Sequence, residues 1–313
     1  MGDRWFISRR EAMRAGLMAC LSAGLARAAV GTEQSIPLPL ITKPIPGTGE
    51  RIPAIGLGTD AFRISERDAI QAEIKRMNEL GGTVIDTAAA YGDSEALIGD
   101  ALAALGLRDR MFLATKLTAG GDFGGGDSGE DSFRRSLERL QTQRVDLLQV
   151  HNLSGVDSLM PMLQAWKKAG KIRYIGVTTS RVSQHAQIVE AMRKYPLDFI
   201  QVDYSIANRD AATTVFPVAL ERRVAVLANL PLARASLIGQ AGERALPDWA
   251  ASIDISSWGQ YFLKYVISHP AVTCAIPGST KLAHLEDNQG AARGRLPDAA
   301  MRTKMEQYWD GKA

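Results

Sequence analysis

The sequence predicts an α/β fold in the form of a single (β/α)8 TIM barrel, with a short N-terminal β-hairpin and an extra C-terminal helix. Short apolar or β-branched runs alternate eight times with amphipathic stretches, which is the pattern of repeated strand–helix units. The chain has 313 residues, of which 46% are hydrophobic and 23% charged, so it can bury a large core and is not a disordered or fibrous protein. Polar residues follow the apolar runs. Because a barrel brings all its strand ends to one mouth, their placement favours a barrel over an open doubly wound sheet.

The elements are predicted in order along the chain. A proline-rich lead at 36–46 is followed by Gly47-Thr48-Gly49, which indicates the turn of a hairpin. The predicted barrel strands are 54–58, 83–86, 111–115, 145–150, 172–177, 199–202, 224–228 and 273–276. The predicted helices are 65–80, 94–105, 131–140, 158–169, 181–193, 211–221, 256–268 and 281–291. The polar residues at the carboxyl ends of six strands are Asp86, Lys116, His151, Thr178, Gln201 and Asn229.

Residues 1–28 have the layout of an export signal, which leaves 29–313 as one barrel domain. Ser8 precedes the pair Arg9-Arg10, an apolar stretch covers 15–26, and Ala26-Arg27-Ala28 offers a cleavage site. The paired arginines indicate the twin-arginine (Tat) route, so we expect a periplasmic protein whose partners include that export machinery. The apolar run is too short to span a bilayer core of about 30 Å, and no permanent membrane anchor is expected. Lipidation at Cys20 is a weaker alternative.

Charge and cysteine usage exclude several function classes. The chain has 37 basic and 34 acidic residues, and its net charge of +3 gives no argument for a nucleic-acid or membrane partner. Residues 1–28 contain five arginines and two acidic residues, so the whole excess lies in the predicted signal. The two cysteines, Cys20 and Cys274, lack metal-ligand spacing, and only one of four histidines ends a predicted strand. A metal-dependent hydrolase is therefore not expected.

A glycine-rich tract between the third strand and the next helix matches the spacing of a dinucleotide-binding fingerprint. It reads Gly124-Gly125-Gly126-Asp127-Ser128-Gly129, and Asp146 follows about twenty residues later. The first glycine, however, comes eight residues after Lys116 instead of at the end of the strand. We therefore interpret the tract as a flexible loop at the mouth of the barrel.

Asp86, Tyr91, Lys116 and His151 form a candidate site for acid catalysis. A tyrosine hydroxyl has an ordinary pKa near 10, so as an acid at neutral pH it needs a neighbouring positive charge to lower that value. Lys116 can supply the charge, and Asp86 is the counter-ion that would keep a buried lysine protonated. His151 can donate a hydrogen bond that orients a carbonyl oxygen. The set predicts a site that protonates an oxyanion while another group attacks the carbon.

These four residues resemble the catalytic tetrad of the aldo-keto reductase superfamily in identity, order and approximate spacing. The resemblance extends through segments 55–59, 144–151, 170–177 and 276–279, which read IGLGT, RVDLLQVH, GKIRYIGV and IPGS. It implies that hydride passes between a nicotinamide and the carbonyl carbon of a small aldehyde, ketone or sugar while Tyr91 protonates the oxygen. Oxidation of an alcohol would run the same steps in reverse.

The resemblance also implies the cofactor contacts. The family holds the nicotinamide amide with a serine–asparagine pair and a glutamine, at the positions of Thr178, Thr179 and Gln201. An aromatic ring usually stacks on the nicotinamide where this chain has Asn229, and its loss removes a contact on the order of 1 kcal/mol. The implied cofactor positions are Gly58, Thr59, Thr178, Thr179, Gln201, Asn229, Leu230, Pro231, Leu232, Gly278, Ser279, Thr280, Lys281, His284 and the adenine-side pair Asp287 and Asn288.

The resemblance to this family favours NADP(H) over NAD(H) as the cofactor, because many of its members use NADP(H). Many members grip the 2′-phosphate with a lysine and an arginine, where this chain has Gly278 and His284. Backbone amides at Ser279 and the following helix start can still bind a phosphate, and Lys281 offers a charge.

A rival interpretation is a non-catalytic barrel that binds a nucleotide or other ligand as an interaction module. The departures at Thr179, Asn229 and His284 favour it, whereas the intact tetrad favours the enzyme. An exported enzyme would have to leave the cytoplasm with its dinucleotide bound, so we expect tight binding, and we expect a monomer.

Overall fold

A two-stranded antiparallel hairpin precedes the barrel in the computed structural model, which describes residues 38–120 and 128–311. The predicted export signal with Cys20, and the glycine tract as far as Asp127, lie outside the described residues. Strand β1 is Thr42–Pro44 and strand β2 is Arg51–Pro53, with Thr42 opposite Pro53. The predicted hairpin is confirmed.

Eight parallel strands then form the barrel in sequence order, each beside its neighbour in the chain. They are β3 Leu57–Gly58, β4 Val84–Asp86, β5 Phe112–Leu117, β6 Val145–Val150, β7 Ile172–Thr178, β8 Phe199–Asp203, β9 Ala225–Asn229 and β10 Val272–Ala275. Bridges from Ile55 to Ala275 and from Gly58 to Gly278 join the first strand to the last. A Cβ at Gly58 would lie 2.8 Å from the Ile276 carbonyl oxygen, so this close approach requires glycine. The predicted (β/α)8 fold is confirmed.

The helices pack around the outside of the strands. In chain order they are α1 Arg67–Glu79, α2 Ser94–Leu105, α3 Gly129–Arg139, α4 Val156–Lys168, α5 His185–Lys194, α6 Asp210–Thr214, α7 Phe216–Glu221, α8 Ser236–Ala241, α9 Trp258–Ile267, α10 Leu282–Gly290 and α11 Ala299–Trp309. The last of these is the predicted C-terminal helix. Within the described part of the chain, none of the helices combines the length and the apolar character that a membrane span requires.

A predicted helix and a predicted strand differ from the structure in ways that have a clear physical reason or bear on the site. The prediction of one continuous helix at 211–221 is wrong, because the helix is interrupted at Val215 and forms two short helices, α6 and α7. Pro217 lies in the first turn of α7, where its missing N–H does no harm, but it cannot continue a helix from α6. The predicted range of the third strand, 111–115, ends two residues before the strand does in the structure. The strand continues to Leu117, which places Lys116 inside the hydrogen-bonded sheet.

Strand alternation divides the core into two layers. Side chains that point into the barrel fill its lower part with apolar groups and leave the upper positions to polar ones. Leu147 belongs to the inner apolar layer, and the residues two and four positions later on the same face are Gln149 and His151. The opposite faces of the strands pack against the helices in a larger apolar cluster. The barrel is therefore a packed core with polar side chains gathered at the mouth.

Candidate active site at the mouth of the barrel

The structure brings Asp86, Tyr91, Lys116 and His151 together at the carboxyl ends of neighbouring strands. Asp86 is the last residue of β4, Lys116 is the penultimate residue of β5, and His151 follows β6 directly. Tyr91 lies in the turn between β4 and α2. Three segments of the chain, at 86–91, 116 and 151, thus supply one site.

Asp86 and Lys116 form a buried ion pair. The Lys116 ammonium donates to Asp86 Oδ2 over 2.6 Å and to the Thr87 carbonyl oxygen over 2.7 Å. Both side chains are almost completely inaccessible to solvent. Burial lowers the pKa of Lys116, but Asp86 and Tyr91 more than offset it, so the net direction is upward and the ammonium keeps its charge.

Tyr91 is half-buried beside this charge. The Lys116 nitrogen lies 4.9 Å from the centre of the Tyr91 ring, and the rings of Tyr91 and His151 meet edge to face at 5.7 Å. Burial raises the pKa of Tyr91 above its ordinary value, and the Lys116 charge works against it without reversing the direction. At neutral pH the phenol therefore keeps its proton.

The imidazole of His151 lies beside Tyr91 at the mouth of the barrel, and it is neutral. Burial, reinforced by the charge of Lys116, lowers its pKa to about 4. The next two residues, Asn152 and Leu153, have φ angles of 51° and 58°, which is strained backbone for side chains of this kind. The Asn152 N–H donates to the Thr178 hydroxyl over 3.0 Å and so fixes this sharp turn to β7. A neutral imidazole held in this way can donate a hydrogen bond to a substrate oxygen.

A chain of buried hydroxyl groups holds the turn that carries Tyr91. Thr87 and Ser94 share a hydrogen bond of 3.0 Å, and the Ser94 hydroxyl donates to Thr59 over 2.7 Å. Thr59 in turn donates to the Asp86 carbonyl oxygen over 3.0 Å. This chain ties the start of α2 to the ends of β3 and β4.

Four of the predicted nicotinamide contacts are also brought together, in and directly after the carboxyl-terminal parts of β7, β8 and β9. Thr178 is paired with Gln201 in the sheet, and Asn229 Nδ2 donates to the Thr179 carbonyl oxygen over 3.1 Å. The two threonine hydroxyls are engaged by the protein, Thr178 by Asn152 and Thr179 by Gln184 and the Arg181 N–H. Two buried amide atoms in this group of residues have no hydrogen-bond partner, the donor Nε2 of Gln201 and the acceptor Oδ1 of Asn229.

The loop after β9 contains the predicted contacts Leu230, Pro231 and Leu232. Leu230 has a φ of 49°, and three further non-glycine residues in this loop also have positive φ: Ala233, Arg234 and Ala235. Arg234 reaches Asp60, which follows β3, over 3.3 Å. The loop thus spans from the seventh barrel strand to the first.

The predicted phosphate-binding segment follows β10. Ser279 is buried, and its hydroxyl lies 2.9 Å from Glu73 Oε1 and 3.0 Å from the Lys281 carbonyl oxygen. Glu73, a buried acid on α1, was not expected from the sequence. The remaining predicted residues occupy this segment and α10: Gly278, Thr280 and Lys281 in the loop, exposed His284 on the helix, and Asp287 and buried Asn288 near its end.

Asp287 is engaged within the protein. Its two carboxylate oxygens accept from the Ser257 hydroxyl over 2.6 Å and from Gln260 Nε2 over 2.9 Å, which fastens α10 to the start of α9. Among the described residues there is no group of three or more histidine, cysteine, aspartate or glutamate side chains that could hold a metal ion.

Comparison with known proteins identifies the same family that the residues of the site indicate. The sequence model of the Aldo/keto reductase family matches residues 54–307. The chain is 30% identical to the methylglyoxal reductase YeaE of Escherichia coli over 262 residues, which covers 80% of this chain and 89% of that protein. It is 32% identical to the aldo-keto reductase YhdN of Bacillus subtilis over 219 residues, 64% of each chain.

Solved structures agree with this likeness. The aldo/keto reductase of Klebsiella pneumoniae in complex with NADP and acetate superposes with a TM-score of 0.71 at 26% identity, over 85% of this chain and 95% of that one. A second structure from that organism, in complex with NADPH, gives a TM-score of 0.71 at 25% identity, over 87% and 96% of the two chains.

Proposed function

The chain belongs to the aldo/keto reductase family, and we propose that it is an NAD(P)(H)-dependent oxidoreductase that interconverts a carbonyl compound and an alcohol with Tyr91 as general acid and base. The substrates we propose are small aldehydes or ketones, sugars among them. The observation that carries the proposal is the buried Asp86–Lys116 ion pair directly against the ring of Tyr91, which also meets the His151 ring edge to face.

Each side chain has a definite task in carbonyl reduction. A bound nicotinamide supplies the hydride to the carbonyl carbon. Tyr91 donates its proton to the carbonyl oxygen, and the Lys116 charge stabilises the phenolate that remains. Neutral His151 donates a hydrogen bond that orients the same oxygen. Because Tyr91 holds its proton at neutral pH, the site suits reduction there, and oxidation should become faster as the pH rises.

Gln201 in β8 and Asn229 at the end of β9 fit the carboxamide of a nicotinamide. A carboxamide offers one acceptor and two donors in a plane, and the unpartnered Gln201 donor and Asn229 acceptor are the complementary pair. Burying both atoms without partners would be costly, so a bound amide would relieve them.

We further propose NADP(H) ahead of NAD(H). Two similar structures were determined with NADP or NADPH, and Lys281 lies exposed beside the start of α10. An ammonium at this position would favour the additional phosphate.

The decisive experiment compares the wild type with Tyr91→Phe. Purified protein is mixed with NADPH or NADH and a panel of aldehydes and ketones, including the methylglyoxal named for the Escherichia coli relative, and dinucleotide absorbance is followed. We expect turnover by the wild type and a loss of about 10²- to 10⁴-fold in kcat in the variant, because a positioned acid contributes that much. Dinucleotide affinity should stay the same.

Two outcomes would count against this mechanism. Equal turnover in both proteins would exclude Tyr91 as the acid. Tight dinucleotide binding without turnover of any compound would support a non-catalytic barrel that serves as a ligand-binding module.

We also propose that residues 1–28 direct export of the folded protein to the periplasm by the twin-arginine route. The support is the pair Arg9-Arg10 before a short apolar stretch. Exchanging both arginines for lysine preserves the charge, so cell fractionation of this variant tests the motif itself. Retention in the cytoplasm is expected, and undiminished export would refute the proposal.

A further inference from the structure

Gln149 lies beneath the candidate catalytic residues and contacts one of them directly. It is fully buried, and its Nε2 donates to Asp86 Oδ1 over 3.3 Å. In the sheet it is the register partner of Lys116, so it stands beside both members of the ion pair. Its own Oε1 is buried and has no partner. A buried amide with only one modest hydrogen bond is a poor choice for stability alone.

A glycine on the next strand makes room for this amide. Gly176 of β7 is paired with Gln149, and a Cβ at Gly176 would lie 3.0 Å from Gln149 Cγ and 2.9 Å from the Phe199 carbonyl oxygen. The space that any larger residue would fill is thus partly occupied by the Gln149 side chain. The position of the amide therefore depends on Gly176 of β7 as well as on Gln149 of β6.

We propose that Gln149 is a positioning residue for proton transfer, which holds Asp86 as the ionised counter-ion of Lys116. Asp86 has two carboxylate oxygens in a buried site, and Lys116 satisfies only Oδ2. The amide satisfies Oδ1 without adding a charge. A second cation in its place would compete with Lys116 for the carboxylate and weaken the field at Tyr91.

The consequence reaches Tyr91 through Lys116. Without the amide donor, the separated charges of the pair are less favourable relative to the neutral pair. Asp86 then holds the Lys116 ammonium less firmly against the Tyr91 ring, so the ammonium stabilises the phenolate less well. Phenolate formation becomes harder, and Tyr91 becomes a weaker acid.

Replacing Gln149 leaves the other titratable groups around the site in place. Tyr91 is faced by Asp60 and His151 in addition to the ion pair, and Asp86 is faced by Cys274 of β10. All three lie on elements other than β6 or beyond its end. A variant changed only at Gln149 retains these three groups, so a shift of the apparent pKa in that variant is not due to their loss.

The test is Gln149→Met, which keeps the length of the side chain and removes the donor. This inference rests on the proposed function for its kinetic part, so a second readout is independent of turnover. In the pH profile of kcat/KM for alcohol oxidation, we expect the apparent pKa to rise by about one unit and kcat to fall about tenfold, as for one lost hydrogen bond to a charged group. The KM for the dinucleotide should not change.

The independent readout is the NMR signal of the Lys116 ε-carbon in the free protein, assigned with Lys116→Met. We expect this lysine to titrate about one unit lower in Gln149→Met than in the wild type. Gln149→Glu is the conservative control, because its carboxyl can donate to Asp86 only while protonated. That variant should match the wild type at low pH and lose activity as the pH rises.

The outcomes are distinguishable. Normal turnover in Gln149→Met with neither the profile nor the Lys116 titration shifted would overturn the inference. Absence of turnover in the wild type, together with a shifted Lys116 titration in the variant, would refute the proposed function and leave the role of Gln149 standing.

Discussion

Burial, and not the neighbouring lysine, sets the direction of the Tyr91 pKa. The sequence suggested that Lys116 would lower it, and the lysine does act in that sense, but removal of the ring hydroxyl from water outweighs the charge. A tyrosine that keeps its proton at neutral pH is well suited to give it to a carbonyl oxygen. The phenolate needed for alcohol oxidation is correspondingly scarce.

Asn229 is the residue whose replacement should report most directly on dinucleotide binding. Asn229→Leu keeps the approximate volume and removes both the bond to the Thr179 carbonyl and the unpartnered Oδ1. If that oxygen accepts from the cofactor amide, dinucleotide affinity should fall about tenfold, which corresponds to about 1.4 kcal/mol. The change in Kd is measured by quenching of protein fluorescence.

A matched control for this prediction is Asn78→Leu. Asn78 lies at the carboxyl end of α1, where the chain returns toward the start of β4 and away from the mouth. Its replacement should leave the Kd unchanged. Equal affinities in the Asn229 variant and the wild type would remove Asn229 from the binding site.

At the scale of elements, the sequence predicts the barrel well because its signal is local. Strand runs such as 145–150 show their apolar pattern within six residues, and the structure reproduces that strand without change. The break at Val215 was missed because Pro217 suits the first turn of a helix as well as it ends another. Between the predicted strand 224–228 and the predicted helix 256–268, where the sequence indicated no further element, the structure has α8 and a 3₁₀ turn at Asp248–Ile253.

Side-chain contacts across strands are the part that sequence reasoning could not supply. Glu73 meets Ser279 across 206 positions of the chain, and no local pattern marks Glu73 as the partner of that serine. Gln149 is different, since it lies two residues before His151 on the same strand face and alternation alone would have turned it toward the site. The four catalytic candidates were found because each ends or follows a predicted strand, and the barrel topology brings such positions close together.

At the scale of the whole molecule, buried histidines make the fold sensitive to acid. Burial lowers the pKa of both His151 and His269 from 6.5 to about 4. The unfolded chain takes up these protons as the pH falls below about 6.5, whereas the folded protein resists until about 4. As the pH falls from about 6.5 to about 4, each of these histidines therefore lowers the free energy of unfolding by about 1.4 kcal/mol per pH unit. Glu73 and Asp203 act in the opposite sense, because burial raises their pKa values.

His269→Asn isolates one of these contributions away from the catalytic residues. The His269 ring packs against Phe216 with centroids 4.7 Å apart, and its Nδ1 accepts from the Ala271 N–H over 3.2 Å. Asparagine can accept the same bond in a turn, so the local backbone should persist. We expect the variant to be less stable at about pH 7 but to lose less free energy of unfolding on going to about pH 5, by roughly 2 kcal/mol.

Urea unfolding at the two pH values measures this difference, and Phe216→Leu supplies the comparison. That substitution weakens the packing beside His269 while leaving the titrating ring in place. It should lower stability by a similar amount at both pH values, so that its pH dependence stays parallel to that of the wild type. A parallel curve for His269→Asn as well would mean that His269 binds its proton in the folded protein as readily as in the unfolded chain.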